Sequence, residues 1–180
     1  MKKWSVPALA LSLALVAAGC SSTSSADSEK KESEFVSSEV SKAPVETTVD
    51  TAEFDKVQEA FTNGGYTVSE VKDENGSRSF TAENANGAIE VKVEVGADSS
   101  AAAKLYDDSG IALEAEDYLE ANAYSSDGKQ VRELINDYNT VYALIGYDEA
   151  ANTVITMQDI LEPGRTDAFN VLSALGYPVE

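Results

Sequence analysis

The stretch Thr140-Val141-Tyr142-Ala143-Leu144-Ile145-Gly146 decides the fold, because it is apolar at odd and even positions alike. Successive side chains of a strand point to opposite faces, so a strand with two apolar faces belongs inside a sheet covered on both sides. Helices on both faces are the expected cover; a partner or ligand surface on one face is the alternative. Outward from it, Val131 to Asn136 and Thr153 to Gln158 read as its neighbours in sequence. Further upstream, Ala88 to Val95 alternates Ile89, Val91, Val93 and Val95 with Glu90, Lys92 and Glu94, the pattern of a strand with one buried and one wet face. Tyr66 to Lys72 and Arg78 to Glu83 precede it, separated by the turn-forming clusters Asp73-Glu74-Asn75-Gly76 and Asn84-Ala85-Asn86-Gly87.

Helical spacing fills the gaps. Asp50-Thr51-Ala52-Glu53 reads as a capping box, followed by Phe54, Val57, Ala60 and Phe61 on one face and a stop at Gly64-Gly65. A second helical region starts at Asp98-Ser99-Ser100, runs from Ala101 to Asp107, breaks near Gly110 and resumes from Ile111 to about Asn122, with Ile111, Ala115, Tyr118 and Leu119 sharing a face. A loop from Tyr124 to Lys129 follows. The last helix covers about Gly164 to Leu175, with Gly176 as its stop. The expected class is α+β, an antiparallel sheet of about six strands packed with helices in the order α-βββ-α-βββ-α. Gly65-Tyr66-Thr67-Val68 and Gly176-Tyr177-Pro178-Val179 echo each other behind two helices, as a duplication or as chance.

Charge narrows the function. Thirty-two acids stand against thirteen bases, and histidine is absent. Duplex nucleic acid needs a basic face to displace counterions, whereas the bases beyond residue 50 (Lys56, Lys72, Arg78, Lys92, Lys104, Lys129, Arg132, Arg165) lie scattered among acids. No nucleic-acid partner is expected. Without histidine the usual general base near neutral pH and the commonest transition-metal ligand are missing, which excludes serine or cysteine triads.

The chain begins with Lys2 and Lys3, an apolar region from about Val6 to Val16, and small residues Ala17-Ala18-Gly19 before Cys20, the only cysteine. These are the three parts of a secretory signal. The run is too short for the roughly 20 apolar residues that span a bilayer. Leu15-Val16-Ala17-Ala18-Gly19-Cys20 resembles the lipobox of bacterial lipoproteins, with Ala17 where leucine is more usual. The resemblance implies that residues 1-19 are a lipoprotein signal peptide, that lipid is attached to the Cys20 thiol, and that Cys20 becomes the first residue. Two acyl chains, at about 0.8 kcal/mol per buried methylene, hold a protein on a membrane unaided. The lipid bilayer is then the partner of Cys20, and the location is the extracytoplasmic face of the cell membrane. With Lys2 and Lys3 removed, eleven bases remain against thirty-two acids, a side-chain balance of −21. With its one cysteine acylated, the folded part has no disulfide and rests on its core.

Residues 20-50 hold the lipidated cysteine and a tether rich in Ser, Thr, Glu and Lys, whose composition buries too little apolar surface to offset chain entropy. Flexible-coil scaling gives its roughly 30 residues a reach on the order of 30 Å. Residues 51-180 are expected to form a single α+β domain. Lipobox, Ser/Glu/Lys tether, the helix end Gly64-Gly65-Tyr66-Thr67-Val68, Asn152-Thr153-Val154-Ile155 and Leu175-Gly176-Tyr177 together resemble small lipoproteins of Gram-positive bacteria with no assigned activity. That family brings no catalytic residues to carry over.

Among candidate sites, Asp107, Asp108, Glu114, Glu116, Asp117 and Glu120 are hard oxygen donors of the kind that suits calcium or magnesium, but Glu116 and Glu120 fall on the wet side of their helix, and a solvated face is the better reading. Aligning Gly76 with the glycine of a calcium loop puts Val71 and Ala82 at ligand positions, so that pattern fails. No metal, cofactor or catalytic residue is expected. Trp4 leaves with the signal, which weakens any sugar-stacking platform. Tyr124, Tyr138, Tyr142 and Tyr147 surround the second strand set and are the candidate binding surface, with core packing as the competing role. The expected function is a non-catalytic binding or accessory domain whose partner is an envelope protein or small ligand. A carboxylate-based hydrolase acting on glycans and a solute-binding component of a transporter are the alternatives.

Overall fold

The structure, a computed structural model, describes residues 51–136, 138 and 140–179. The signal peptide, Cys20 and the tether lie outside the described residues. The strand that decides the fold runs over Val141–Asp148 and is buried on both faces from Ala143 onward. In chain order the elements are α1 (Ala52–Asn63), β1 (Thr67–Glu74), β2 (Ser77–Asn84), β3 (Gly87–Val95), α2 (Ser99–Glu114), β4 (Leu119–Ser126), β5 (Lys129–Asn136), β6 (Val141–Asp148), β7 (Thr153–Leu161), a 3-10 turn over Glu162–Gly164, and α3 (Arg165–Ala174). All seven strands join one antiparallel sheet in the order β1-β2-β3-β7-β6-β5-β4.

Helices cover both faces. Phe54, Val57 and Phe61 of α1 and Ala168, Val171 and Leu172 of α3 pack with Phe80, Val91, Val131, Leu144 and Met157 on one face. On the other, Ala102, Tyr106 and Leu113 of α2 pack with Leu134, Ala143, Ile145 and Val154. The alternation of β6 divides these two cores: even-numbered Leu144 joins the first and odd-numbered Ala143 and Ile145 the second.

The sequence-based expectation of six strands in the order α-βββ-α-βββ-α is corrected to seven, α-βββ-α-ββββ-α. The helix expected to restart at Ile111 and reach Asn122 instead ends at Glu114, and residues 119–126 form the edge strand β4. Nor does α2 break at Gly110, which is buried mid-helix at a place where a Cβ would collide with the Arg132 guanidinium. Ile111 and Leu119 do not share a buried face; they are 63% and 59% exposed, and Leu113 takes the core position. The capping position of the box read over Asp50-Thr51-Ala52-Glu53 is Asp50, which lies outside the described residues; Thr51 itself has helical backbone (φ −73°, ψ −9°) and makes no side-chain cap. Asp98 does cap α2, accepting from the Ala101 amide at 2.8 Å.

Among the described residues the three α-helices end alike. A residue with positive φ (Gly65 86°, Asp117 66°, Gly176 80°) is followed by a buried tyrosine whose amide bonds back five residues: Tyr66 to Phe61, Tyr118 to Leu113, Tyr177 to Leu172, at 3.0, 3.1 and 3.0 Å. This is the Schellman arrangement, with the apolar contact that accompanies it, as in the Phe61–Tyr66 ring pair at 5.3 Å. The echo read in sequence therefore has a third copy, hidden because Asp117 replaces glycine. Helix, buried tyrosine, then a meander opening on a bulged edge strand occurs twice, as α1-β1-β2-β3 and α2-β4-β5-β6, on either side of the central β7.

Candidate functional site

The four candidate tyrosines do not share one surface. Tyr142 and Tyr147 are an odd number of positions apart on β6, and a period of two sends them to opposite faces. Tyr147 is buried on the α2 face, its ring stacked on Tyr106 at 5.4 Å. Burial pushes the Tyr106 phenol up to about 12, with Arg132 opposing. Tyr138 stands in the β5–β6 turn, 86% exposed. Tyr124 and Tyr142 are the pair that the fold brings together, on the α3 face of β4 and β6.

Between them lie residues that the sequence reading did not single out. The Tyr124 ring meets Phe169 edge-on at 6.1 Å. The Arg165 guanidinium, at the first turn of α3, sits 5.3 Å from the Tyr142 ring centre and 5.2 Å from that of Phe169. Its Nε donates to Oε1 of Glu133 at 2.5 Å, while Asn122 Nδ2 donates to Oε2 at 2.6 Å. Glu133 is 1% exposed, so both carboxylate oxygens are engaged out of water. Glu162, as hydrogen-bond acceptor beside the Tyr142 phenol, raises that phenol above the ordinary tyrosine value. One signal for this cluster was available: Val131, Glu133 and Ile135 alternate on one face of β5, and a carboxylate between two inward apolar residues demands a cation.

Chemically the cluster is a clamp, not a reaction centre. A carboxylate with no free oxygen and no solvent contact cannot reach a substrate proton. Losing Arg165 would leave the buried Glu133 charge without its cation, a cost of about 3–5 kcal/mol in comparable sites. What it leaves open lies one row further along. Leu119, Ile135 and Tyr142 stand opposite one another across β4, β5 and β6, and Ile160 continues the row on β7. Ile160 is buried, but Ile135 and Tyr142 are half-buried and Leu119 is 59% exposed, because α3 begins only at Arg165. An apolar row thus runs from the core out to the β4 edge.

Two grooves lie elsewhere. A groove of about 360 Å³ between α1 and α3 is lined by Lys56, Glu59, Asn63 and Asp167 among others, and one of about 370 Å³ lies beside α2 near Gly96. None of the four tyrosines lines either groove. In the first, Asp167 Oδ2 is taken by Asn84 and Asn86 at 3.0 and 2.8 Å. Among the described residues no cluster of acids has the arrangement to hold a metal ion; Asp108 pairs with Lys104, and Glu114 and Glu120 with Arg132. No family model matches this chain, and a search of the curated proteins finds no match.

Proposed function

We propose that this chain is a lipid-anchored extracytoplasmic docking domain, held on the cell membrane through Cys20, without catalysis of its own. The observation that carries the docking role is the apolar row of half-buried Tyr142 and Ile135 and exposed Leu119, which the start of α3 leaves uncovered beside the Glu133–Arg165 pair. The anchoring rests on the sequence motif before Cys20. Enclosure of Glu133 supports a holding role over hydrolysis, since it withdraws the best-placed buried carboxylate from solvent.

Two measurements test the two halves of this reading. Cys20→Ser should move the protein from the membrane to the soluble fraction of the envelope; retention on the membrane would refute the anchor. A photo-cross-linking amino acid placed at Leu119 should give discrete adducts in intact cells, and the same group at Val71, exposed on the opposite edge strand, should not. Equal labelling from both positions would remove the docking surface.

A further inference from the structure

The two edges of the sheet differ in how they are guarded. Sheet edges carry unpaired backbone groups, and proteins discourage their pairing with charges, lysine or proline along the edge. Edge β1 follows that rule, with Glu70, Lys72, Asp73 and Glu74 in its eight residues. Edge β4, Leu-Glu-Ala-Asn-Ala-Tyr-Ser-Ser, has a single charge in eight, and Arg132 neutralises it, with Nε 2.5 Å from Glu120. Its bulge lies at the start, between Glu120 and Asn122, which leaves Asn122–Ser126 in regular register with β5.

Charge decides what can pair there. Over most of its surface a chain with thirty-two acids and thirteen bases repels a second copy of itself. Behind β4 the balance is different: Lys129 pairs with Asp148, Arg132 with Glu114 and Glu120, and Arg165 with Glu133. These three bases meet four acids, close to balance beside the whole chain's thirty-two acids and thirteen bases, so the like-charge cost of bringing two copies together is small along this edge.

We propose that the occupant of the β4 edge is a second copy of this chain, paired antiparallel through Asn122–Ser126 about a twofold axis near Tyr124, so that the two sheets become one. Antiparallel pairing of a strand with itself is self-complementary, as a twofold interface requires. It places Ala123 opposite Ser125 of the second copy, and both side chains are exposed in the single chain. The contact is smaller than the roughly 1,600 Å² of a standard interface, so the dimer is a weak one that confinement to a membrane favours. This rests on the reading of the β4 corner as a docking surface.

The test uses the chain from position 20 onward with Cys20→Ser. Sedimentation equilibrium from about 10 to about 500 μM should show a monomer–dimer equilibrium. Both A123K/S125K and A123E/S125E variants, at exposed positions and with unchanged circular dichroism, should raise the dissociation constant at least about tenfold through like charges on the axis. Mixing the two variants should restore dimers, which a folding defect would not. A monomer at every concentration, or a dimer indifferent to these substitutions, would overturn the proposal. If the chain stays monomeric while Leu119 still yields cross-links to other proteins, the docking surface survives and only self-pairing falls; if those cross-links vanish too, both fall.

Discussion

Gly110 shows how one atom's absence sets a local architecture. Glycine within a helix ordinarily costs about 0.5–1 kcal/mol relative to alanine, which is why a break is expected there from sequence. The helix continues because the missing Cβ makes room for Arg132, whose guanidinium lies 5.8 Å from the Tyr106 ring centre and bonds Glu120 and Glu114. Gly110→Ala should therefore lose its usual sign: in the wild-type background it should destabilise by about 1 kcal/mol, by pushing Arg132 off those partners. With Arg132→Ala in place, the same substitution should stabilise by about 0.5–1 kcal/mol. Urea titration of the four proteins of that cycle reads the interaction directly, and additive effects would show that Arg132 does not need the space.

The helix ends carry the next lesson. Gly65 and Gly176 adopt the left-handed conformation at no steric cost, while Asp117 pays for it in the same motif. Asp117→Gly should stabilise the protein by about 0.5–1 kcal/mol despite the greater freedom of glycine in the unfolded chain, raising Tm by several degrees in calorimetry; an unchanged or lower Tm would mean that the carboxylate compensates locally. The two glycine ends and the strands that alternate, such as β3, were legible in the sequence for the same reason: each obeys a local rule with little tertiary interference. The strand β4 was not. Leu119-Glu120-Ala121 extends the helical spacing of the residues before it, and an edge strand exposed on both faces has no alternation to display. Of the site, Tyr142 and Tyr124 were visible as residue types, but their grouping with Arg165 and Phe169 depends on where α3 starts, a tertiary fact that no spacing encodes.

At the scale of the whole molecule, two electrostatic effects respond oppositely to acid. Net negative charge destabilises the compact state by self-repulsion, so mild acidification or salt, which neutralise or screen it, should leave stability equal or higher. The junction of β5, β6 and α3 behaves differently. Lys129 Nζ lies 3.0 Å from Asp148 Oδ2, 2.9 Å from the Leu175 carbonyl and 4.6 Å from the Tyr177 ring centre, fastening the end of α3 to the sheet. Burial works against the Asp148 carboxylate, but Lys129 and the Ala150 and Ala151 amides outweigh it and hold the group below its ordinary value of 3.8. A carboxylate whose folded value is depressed contributes stability that is fully present above its unfolded value and lost as pH falls through the folded one. Tm should thus hold or rise from pH 7 to about 5 and fall only below 3.8. Asp148→Asn should lower Tm at pH 7 and flatten that acid limb, since the remaining groups no longer include the one that fastens α3. Thermal melts by circular dichroism across this range decide it: a parallel acid limb in the variant would assign the loss to other carboxylates and leave the junction without its proposed weight.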